Sequence, residues 1–292
     1  MKPTEERAGI KSGSGMEGLN ATVPEQFDSG NARLLALASA AAYCPNPGLG
    51  PQPLGEPLCL ESAATSTRVL IWRCGEHIVA AFRGTVDLRN WLTDLDCEFA
   101  PENGCRVHAG FAEALESVRE KTLEGICQMA QACQARPKLW LTGHSLGGAL
   151  AMLLAWRVRE RYRRQPFSGV YTFGQPRVGN AAFCARYDES GLRGSTFRII
   201  YRADIVPHVP FLLGSYRHAG REILCDDTGR WREQAPLLWK VGREAAAHLH
   251  GLARFRAAAL ADHHIDSYLK MFAAPAPPVR EAAVDSFFAA YP

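Results

Sequence analysis

The residues best suited to chemistry form a Gly-His-Ser-Leu-Gly stretch near the middle of the 292-residue chain. The apolar run at residues 139–141 predicts a buried strand just before it, and the apolar residues from Leu146 onward repeat at helical spacing. Ser145 therefore falls in a turn from strand to helix, which is the G-x-S-x-G pattern of a nucleophile elbow. We expect a strained backbone at Ser145, with its hydroxyl exposed at the tip of the turn.

Two glycines flank this serine for a steric reason. The predicted turn is so tight that a Cβ at Gly143 or Gly147 would collide with neighbouring backbone. Because Ser145 begins a helix, nearby backbone N–H groups face any developing negative charge. A glycine-rich connector is the alternative interpretation, but the strand on one side and the apolar helix on the other favour the elbow.

An acyl-transfer serine also needs at least two hydrogen-bond donors aimed at one oxyanion. The predicted strand at residues 77–82 runs directly into Arg83-Gly84-Thr85. A turn at this place, early in an α/β chain, is where the second donor of such a site comes from. We expect the oxyanion hole to consist of the backbone N–H groups of Thr85 and Leu146, although an ordinary loop remains the alternative for the turn.

The acid of the site is expected at the end of a later strand. Asp204 follows the predicted strand at residues 196–201, downstream of the serine, where the α/β-hydrolase order Ser, Asp, His requires the acid. Asp188, Asp226 and Asp227 are the rivals, and their places at a helix end and in a turn are typical of solvated carboxylates.

The base is expected from the last histidines of the chain, His263 and His264. The sequence leaves the choice between them open. A third histidine, His108, is closer to the serine in sequence. We interpret His108 as structural, because no acidic partner is apparent nearby.

A short amphipathic helix is predicted at residues 87–96, directly after the oxyanion turn. Four apolar residues fall at i, i+3, i+4 and i+7 on one face of it: Leu88, Trp91, Leu92 and Leu95. Such a helix could cover the site as a lid, or it could pack in the core. The sequence does not separate these two interpretations.

Composition excludes several classes of partner. The formal net charge is +3 and no Lys/Arg block is present, which argues against nucleic acid. The sequence contains no apolar span of 18 residues, so it predicts no transmembrane helix. The nine cysteines lack zinc spacing, and no metal or organic cofactor is expected. Residues 1–20 show no apolar signal-peptide core, so the sequence predicts a cytoplasmic protein, with leaderless export as the alternative.

Strands and helices alternate along the chain, which predicts an α/β fold. We divide the sequence into a flexible tail at residues 1–24, one domain at residues 25–273, and a Pro-rich linker with a C-terminal helix at residues 274–292.

The ordered set of motifs resembles the class 3 lipases, a fungal-type triacylglycerol lipase family of the α/β-hydrolases. The resemblance covers about residues 34–272. It rests on Phe82-Arg-Gly-Thr85 with Asn90-Trp91 and Asp94-Leu95, Val107-His-Ala-Gly-Phe111, Gly143-His-Ser-Leu-Gly-Gly148, Thr172-Phe-Gly-Gln-Pro-Arg-Val-Gly-Asn180, Asp204-Ile-Val-Pro207, Tyr216-Arg-His218, and Asp262-His263 with Tyr268.

This resemblance implies an α/β-hydrolase fold, with a central, mostly parallel sheet flanked by helices and a short lid-like helix. It also implies Ser145 as nucleophile, Asp204 as acid and His263 as base, with Thr85 and Leu146 in the oxyanion hole. One departure is Gln175, which stands where the family often has serine.

Three functions are consistent with this resemblance. The first is a lipase or esterase that acts on acylglycerols, with a lipid–water interface as one place where it could act. The second is a phospholipase A1 or galactolipase, which would use the same triad with a different pocket. The third is a non-catalytic interaction module, which the complete serine, acid and base set disfavours.

Overall fold

One large β-sheet organises the residues that the structure, a computed structural model, describes. These are residues 16–46, 56–85, 98–162, 167–210, 215–226, 230–233 and 260–272. The helix expected at residues 87–96 and the segment 274–292 lie outside the described residues. Among the helices that fall within those ranges, none is long and apolar enough to cross a membrane.

The large sheet has eight described strands, in the order β1-β2-β3-β6-β7-β8-β9-β10. Strands β3, β6, β7, β8 and β9 run parallel to their neighbours in this set, whereas β1 and β2 at one edge and β10 at the other are antiparallel. The remaining two strands form a separate hairpin. The bounds are β1 Leu58–Ser62, β2 Thr67–Cys74, β3 His77–Phe82, β4 Phe99–Glu102, β5 Cys105–His108, β6 Lys138–His144, β7 Phe167–Phe173, β8 Thr196–Tyr201, β9 Arg221–Cys225 and β10 Trp231–Glu233.

Helices cover both faces of this sheet. The described α-helices are α1 Ser29–Ala41, α2 Ala109–Gln131, α3 Leu146–Arg161, α4 Ala181–Tyr187 and α5 Ile265–Lys270. Buried side chains of α2, α3 and α4 form one core cluster with the sheet. Those of α1 and α5 form a second cluster on the opposite face. Every residue of β3 and of β7 is buried, as expected for central strands that are covered on both sides.

The observed fold confirms the predicted α/β class with a mostly parallel sheet between helices. Strands β3 and β8 have the predicted bounds. The hairpin of β4 and β5 was not predicted, since its short strands carry Pro, Glu and Arg instead of a clear alternation.

The predicted tail boundary at residue 24 requires a correction. Met16 and Leu19 are buried and belong to the core cluster of α1. The backbone N–H of Asn20 also donates to the Asn31 side chain at 2.7 Å. The folded unit therefore includes residues upstream of residue 24, because two apolar side chains find a place against α1.

Candidate active site

The turn at Ser145 has the geometry of a nucleophile elbow. Ser145 has φ 57° and ψ −130°, a conformation that L-residues rarely adopt, and it joins β6 directly to α3. A Cβ at Gly143 would overlap the backbone of Gly147, and a Cβ at Gly147 would overlap the carbonyl of Phe82. Both glycine predictions are confirmed, since each glycine allows a close backbone approach.

The serine hydroxyl is buried, which differs from the prediction of an exposed tip. Ser145 is 1% exposed, and its Oγ has no hydrogen-bond partner among the described residues. Its backbone N–H donates to the Phe173 carbonyl oxygen at 2.8 Å, which ties the turn to the end of β7. The sequence pattern specifies the turn but contains nothing about the neighbours that cover it.

Asp204 and His263 form a buried pair. His263 Nδ1 lies 2.9 Å from Asp204 Oδ1 and 2.8 Å from Asp204 Oδ2. His263 is 1% exposed and Asp204 is 0% exposed. The same carboxylate accepts hydrogen bonds from the Val206 backbone N–H at 2.9 Å and from the Tyr268 hydroxyl at 2.6 Å. Because a carboxylate only accepts, Nδ1 carries the proton and Nε2 keeps a lone pair.

The alternative base, His264, lies elsewhere. Its side chain is 68% exposed, and its Nδ1 is 3.4 Å from Asp266. The backbone of Ala203 donates to the Asp262 side chain at 3.2 Å, which holds the segment before His263 against the turn that carries Asp204. The structure therefore brings His263, and not His264, to the predicted acid.

Gly174 provides the space in which this pair meets. It follows β7 with φ +59°, and a Cβ there would lie 2.7 Å from Asp204 Oδ2 and 2.8 Å from His263 Nδ1. Any side chain at this position would push the imidazole away from the carboxylate. Sequence reasoning missed this glycine, although its place just after a predicted strand was visible.

The turn of Arg83, Gly84 and Thr85 lies against the elbow. A Cβ at Gly84 would be 2.5 Å from the His144 carbonyl oxygen and 3.1 Å from Ser145 Cβ. Arg83 anchors the turn through its backbone N–H, which donates to the Arg68 carbonyl at 2.9 Å. Thr85 follows Gly84 directly, and Leu146 begins α3 beside the serine. The two predicted oxyanion donors thus lie on segments that pack together.

A second histidine connects this turn to the base, and sequence reasoning missed it. His144 is buried, and its Nδ1 lies 2.8 Å from the Tyr43 hydroxyl. Its Nε2 lies 2.6 Å from the backbone carbonyl oxygen of His263, so Nε2 donates and Nδ1 accepts. Tyr43 is also the side chain that a Cβ at Gly84 would meet. These hydrogen bonds therefore fix the backbone of His263 relative to the turn of Arg83, Gly84 and Thr85.

Burial favours the neutral form of His144. Burial lowers the pKa of His144 well below its usual value of 6.5, and the nearby His263 imidazole lowers it further. A protonated ring would place a second donor against the Tyr43 hydroxyl, whose own pKa is raised by burial.

The other predicted candidates lie outside the buried pair. Asp188 is 2.6 Å from Arg193, and Asp226 is 3.6 Å from Arg232, as expected for solvated ion pairs. His108 is stacked on Phe111 with ring centroids 4.0 Å apart, in keeping with a structural role. Asp227 and the four lid residues Leu88, Trp91, Leu92 and Leu95 lie outside the described residues.

Gln175, the departure from the family pattern, is a core residue here. Its side chain is 2% exposed, and its Nε2 lies 3.3 Å from both Met152 Sδ and the Pro176 carbonyl. A Cβ added at Gly148 would lie 3.1 Å from the Cβ of Gln175. The glutamine thus fills space against α3, one residue from Gly174.

The arrangement can perform nucleophilic catalysis by a serine. Neither Ser145 Oγ nor His263 Nε2 has a hydrogen-bond partner among the described residues, so both are available to each other and to a substrate. Such hydrogen bonds are often long before a substrate binds. Within the described ranges, no three His, Cys, Asp or Glu side chains are grouped to hold a metal ion.

Comparison with known proteins reveals clear relatives. A family model described as Lipase (class 3) matches residues 79–214. A secreted mono- and diacylglycerol lipase of Fusarium solani is 35% identical over 156 residues, which are 52% of this chain and 44% of that protein. A chloroplastic phospholipase A(1) of Arabidopsis thaliana is 30% identical over 46% of this chain and 33% of its own length. The crystal structure of a lipase from Rhizopus microsporus var. chinensis has a TM-score of 0.59 and 31% identity, covering 66% of this chain and 72% of that one.

These matches cover only part of the curated relatives, and they correct the predicted cellular location. The chain spans less than half the length of the two curated relatives. The predicted cytoplasmic location is wrong, because relatives such as the Fusarium lipase are named as secreted enzymes. That prediction rested on the composition of residues 1–20, which does not constrain the folded domain.

We predict that His144→Gln destabilises the protein in a pH-dependent way. Below about pH 6.5 the unfolded histidine gains a proton that the folded one does not, so the stabilisation by His144 is complete above pH 6.5 and is lost as the pH falls toward its lowered folded pKa. Urea unfolding should show a deficit of about 1–3 kcal/mol at pH 7.5 and a smaller deficit at pH 5.

Tyr43→Phe is the matched control, because it removes the same hydrogen bond without removing the titrating ring. Its deficit should change less between the two pH values. Equal deficits for His144→Gln at both pH values would contradict a neutral, buried His144.

Proposed function

The chain belongs to the class 3 lipase family, and we propose that it is a serine hydrolase of carboxylic esters that uses Ser145, His263 and Asp204. The observation that carries this proposal is the buried pair of His263 and Asp204, at 2.8 Å, beside a serine in elbow geometry. The three residues follow one another in the order Ser, Asp, His, as α/β-hydrolases require.

In the proposed first step, Ser145 Oγ attacks the ester carbonyl carbon. His263 Nε2 takes the serine proton, and Asp204 stabilises the imidazolium that forms. The Tyr268 hydroxyl and the Val206 N–H hold the carboxylate in place, so that it remains aimed at Nδ1. The C–O bond to the alcohol then breaks, and the alcohol leaves with the proton from Nε2.

In the second step, water replaces the alcohol. His263 takes a proton from water, the hydroxide attacks the acyl-enzyme, and Ser145 recovers its proton as the carboxylic acid leaves. Both steps pass through a tetrahedral oxyanion. We assign the N–H groups of Thr85 and Leu146 as its donors, which the packing of Gly84 on the elbow supports.

We propose acylglycerols as the substrates, in keeping with what the Fusarium relative is named for. A phospholipase A1 or galactolipase is the second candidate, and the Arabidopsis phospholipase supports it. The chemistry of the two candidates is the same and only the acyl and headgroup pocket differs. The buried Asp–His pair argues against a non-catalytic module, because an interaction domain has no need for an oriented imidazole.

We further propose that the enzyme works at a lipid–water interface. In this proposal the apolar face of Leu88, Trp91, Leu92 and Leu95 covers the pocket in water and inserts among acyl chains when it opens. The buried hydroxyl of Ser145 supports a site that is closed in the absence of substrate.

Ser145→Ala should lower esterase activity by about 10⁴-fold or more, since the members of a triad act as a unit. The same variant should lose covalent labelling by a fluorophosphonate probe and keep the circular dichroism spectrum of the wild type. Ser117→Ala, on the surface of α2, is the control and should keep both activity and labelling. Labelling that persists in Ser145→Ala would disprove the assignment of the nucleophile.

His263→Ala and His264→Ala form a matched pair of neighbouring substitutions. We expect His263→Ala to lose activity by several orders of magnitude, because His263, unlike His264, contacts Asp204. His264→Ala should retain most of the activity, since its ring is exposed. The proposal fails if His264→Ala is the inactive enzyme and His263→Ala turns over normally.

A substrate panel distinguishes the two enzyme candidates. Emulsified di- and triacylglycerols, phosphatidylcholine vesicles and dissolved p-nitrophenyl acetate should be compared at equal ester concentration, with Ser145→Ala as the blank. We expect the acylglycerols to give the highest kcat/KM, and the rate to rise sharply above their solubility limit. Preferred cleavage of phosphatidylcholine would instead select the phospholipase, and a smooth rate curve through the solubility limit would exclude interfacial action.

A further inference from the structure

A tight turn carries Asp204 at the end of β8. The turn runs from Tyr201 to Asp204, and the Asp204 backbone N–H donates to the Tyr201 carbonyl oxygen at 3.0 Å, as in a β-turn. Arg202, the second residue of this turn, has φ 46°. Arginine rarely adopts such a φ, because its Cβ then crowds the following carbonyl oxygen. The turn therefore depends on neighbours that hold it in this conformation.

The carboxylate of Asp262 contacts both central residues of the turn. Its Oδ2 accepts a hydrogen bond from the Ala203 backbone N–H at 3.2 Å, and its Oδ1 lies 4.0 Å from Arg202 Nε. The Arg202 side chain is 47% exposed, so this ion pair contributes little to stability in water. The hydrogen bond from Ala203 is the stronger constraint, since the Asp262 side chain that accepts it is only 18% exposed.

The place of Asp262 in the sequence connects this hydrogen bond with the proposed catalytic pair. Asp262 immediately precedes His263. Ala203, its partner, immediately precedes Asp204. The hydrogen bond and the pairing of His263 with Asp204 therefore join the same two segments at adjacent residues. Two adjacent contacts restrict the rotation of one segment against the other, whereas a single contact would restrict only their separation.

Tyr268 holds the same turn from another side. Its hydroxyl accepts a hydrogen bond from the Tyr201 backbone N–H at 3.2 Å and donates to Asp204 Oδ2 at 2.6 Å. These contacts fix the first residue of the turn and the carboxylate at its end. The N–H in the middle of the turn, that of Ala203, is held by Asp262 instead.

We propose that Asp262 is a positioning residue, which aims the imidazole of His263 by holding the turn that carries Asp204. This proposal rests on the proposed role of His263 as the base of ester hydrolysis. Asp262 touches no reacting atom and acts through Ala203. Proton transfer from the serine requires Nε2 of His263 to point at Oγ, and a misplacement of about 1 Å in such a site can cost about 10²-fold in rate. The loss of this hydrogen bond should therefore slow the chemical step without weakening the binding of the ester.

The first test compares kcat and KM for p-nitrophenyl acetate between two substitutions at one position. Asp262→Ala removes the acceptor and should lower kcat about 10- to 100-fold, with KM within about twofold of the wild type. Asp262→Asn keeps an oxygen that can accept from Ala203 and loses only the charge that faces Arg202. It should keep kcat within about threefold of the wild type, because the exposed ion pair contributes little.

Asp266→Ala is the matched control. Asp266 lies in the same segment, but its side chain is 68% exposed and its carboxylate faces His264. This variant should have the kcat and KM of the wild type. All the variants should be assayed well below the lowest Tm of the set, so that unfolding does not contribute to a loss of activity.

A spectroscopic test does not depend on ester hydrolysis. The proton on His263 Nδ1 faces a buried carboxylate and should give a far-downfield proton NMR resonance, which is assigned by its loss in His263→Ala. The comparison is made in a Ser145→Ala background. There the resonance should be shifted upfield or lost with Asp262→Ala, and it should be retained with Asp262→Asn. A merely structural role would lower Tm and leave the resonance of the folded protein in place.

Asp262→Leu is the second variant in case Asp262→Ala does not fold, since leucine resembles aspartate in shape but cannot accept a hydrogen bond. If either variant folds and keeps both the wild-type kcat and the downfield resonance, the proposal is wrong. Equal losses in Asp262→Ala and Asp262→Asn would also overturn it, because the charge would then be responsible and not the hydrogen bond. Failure of both Asp262→Ala and Asp262→Leu to fold would make Asp262 a structural residue and would reject the positioning role.

A failure of the proposed function gives a different result. Activity that persists in Ser145→Ala would disprove the proposed ester hydrolysis by this serine. The NMR comparison would still decide whether Asp262 positions His263, because it measures the hydrogen bond to Asp204 and not the reaction.

Discussion

The close approach of backbone at the elbow is the constraint on which the whole site depends. Helix α3 begins so near to the end of β3 that no side chain fits at Gly147, where the Phe82 carbonyl lies. The same contact directs the chain after Phe82 across the elbow, and Gly84 then packs on Ser145. Three glycines, at positions 84, 143 and 147, thus allow the turn of Arg83, Gly84 and Thr85 to lie against Ser145.

Parallel pairing brings the remaining groups to the same edge. Strands β3, β6, β7 and β8 are neighbours and run in one direction, so their carboxyl ends meet. Thr85, Ser145, Gly174 and Asp204 each follow one of these ends. His263, the proposed base, is different, because it comes from the segment before α5, a helix that packs with α1 on one face of the sheet. His144 and Tyr43 connect that segment to the elbow.

The sequence predicts what is local and misses what depends on distant partners. The elbow and the strand before Asp204 are encoded in short motifs and in periodicity, and the structure has both where expected. The assignment of Ser145, Asp204 and His263 as a triad stays a proposal. The His144 hydrogen bonds join residues that are 101 and 119 positions apart, and no local pattern reports such a pair. The burial of Ser145 and the packing of Met16 likewise depend on neighbours from other parts of the chain. The lid assignment of residues 87–96 stays a prediction.

The order of the strands has a consequence for how the molecule assembles. Apart from the β4–β5 hairpin, each successive described strand adds beside the one before it, so that the sheet grows in the direction of synthesis. The segment that carries His263 comes after every one of those strands in the chain. A nascent chain can therefore form the elbow and place Asp204 while it still lacks the imidazole between them. Ester cleavage by the proposed triad would therefore begin only after the segment that carries His263 has been made.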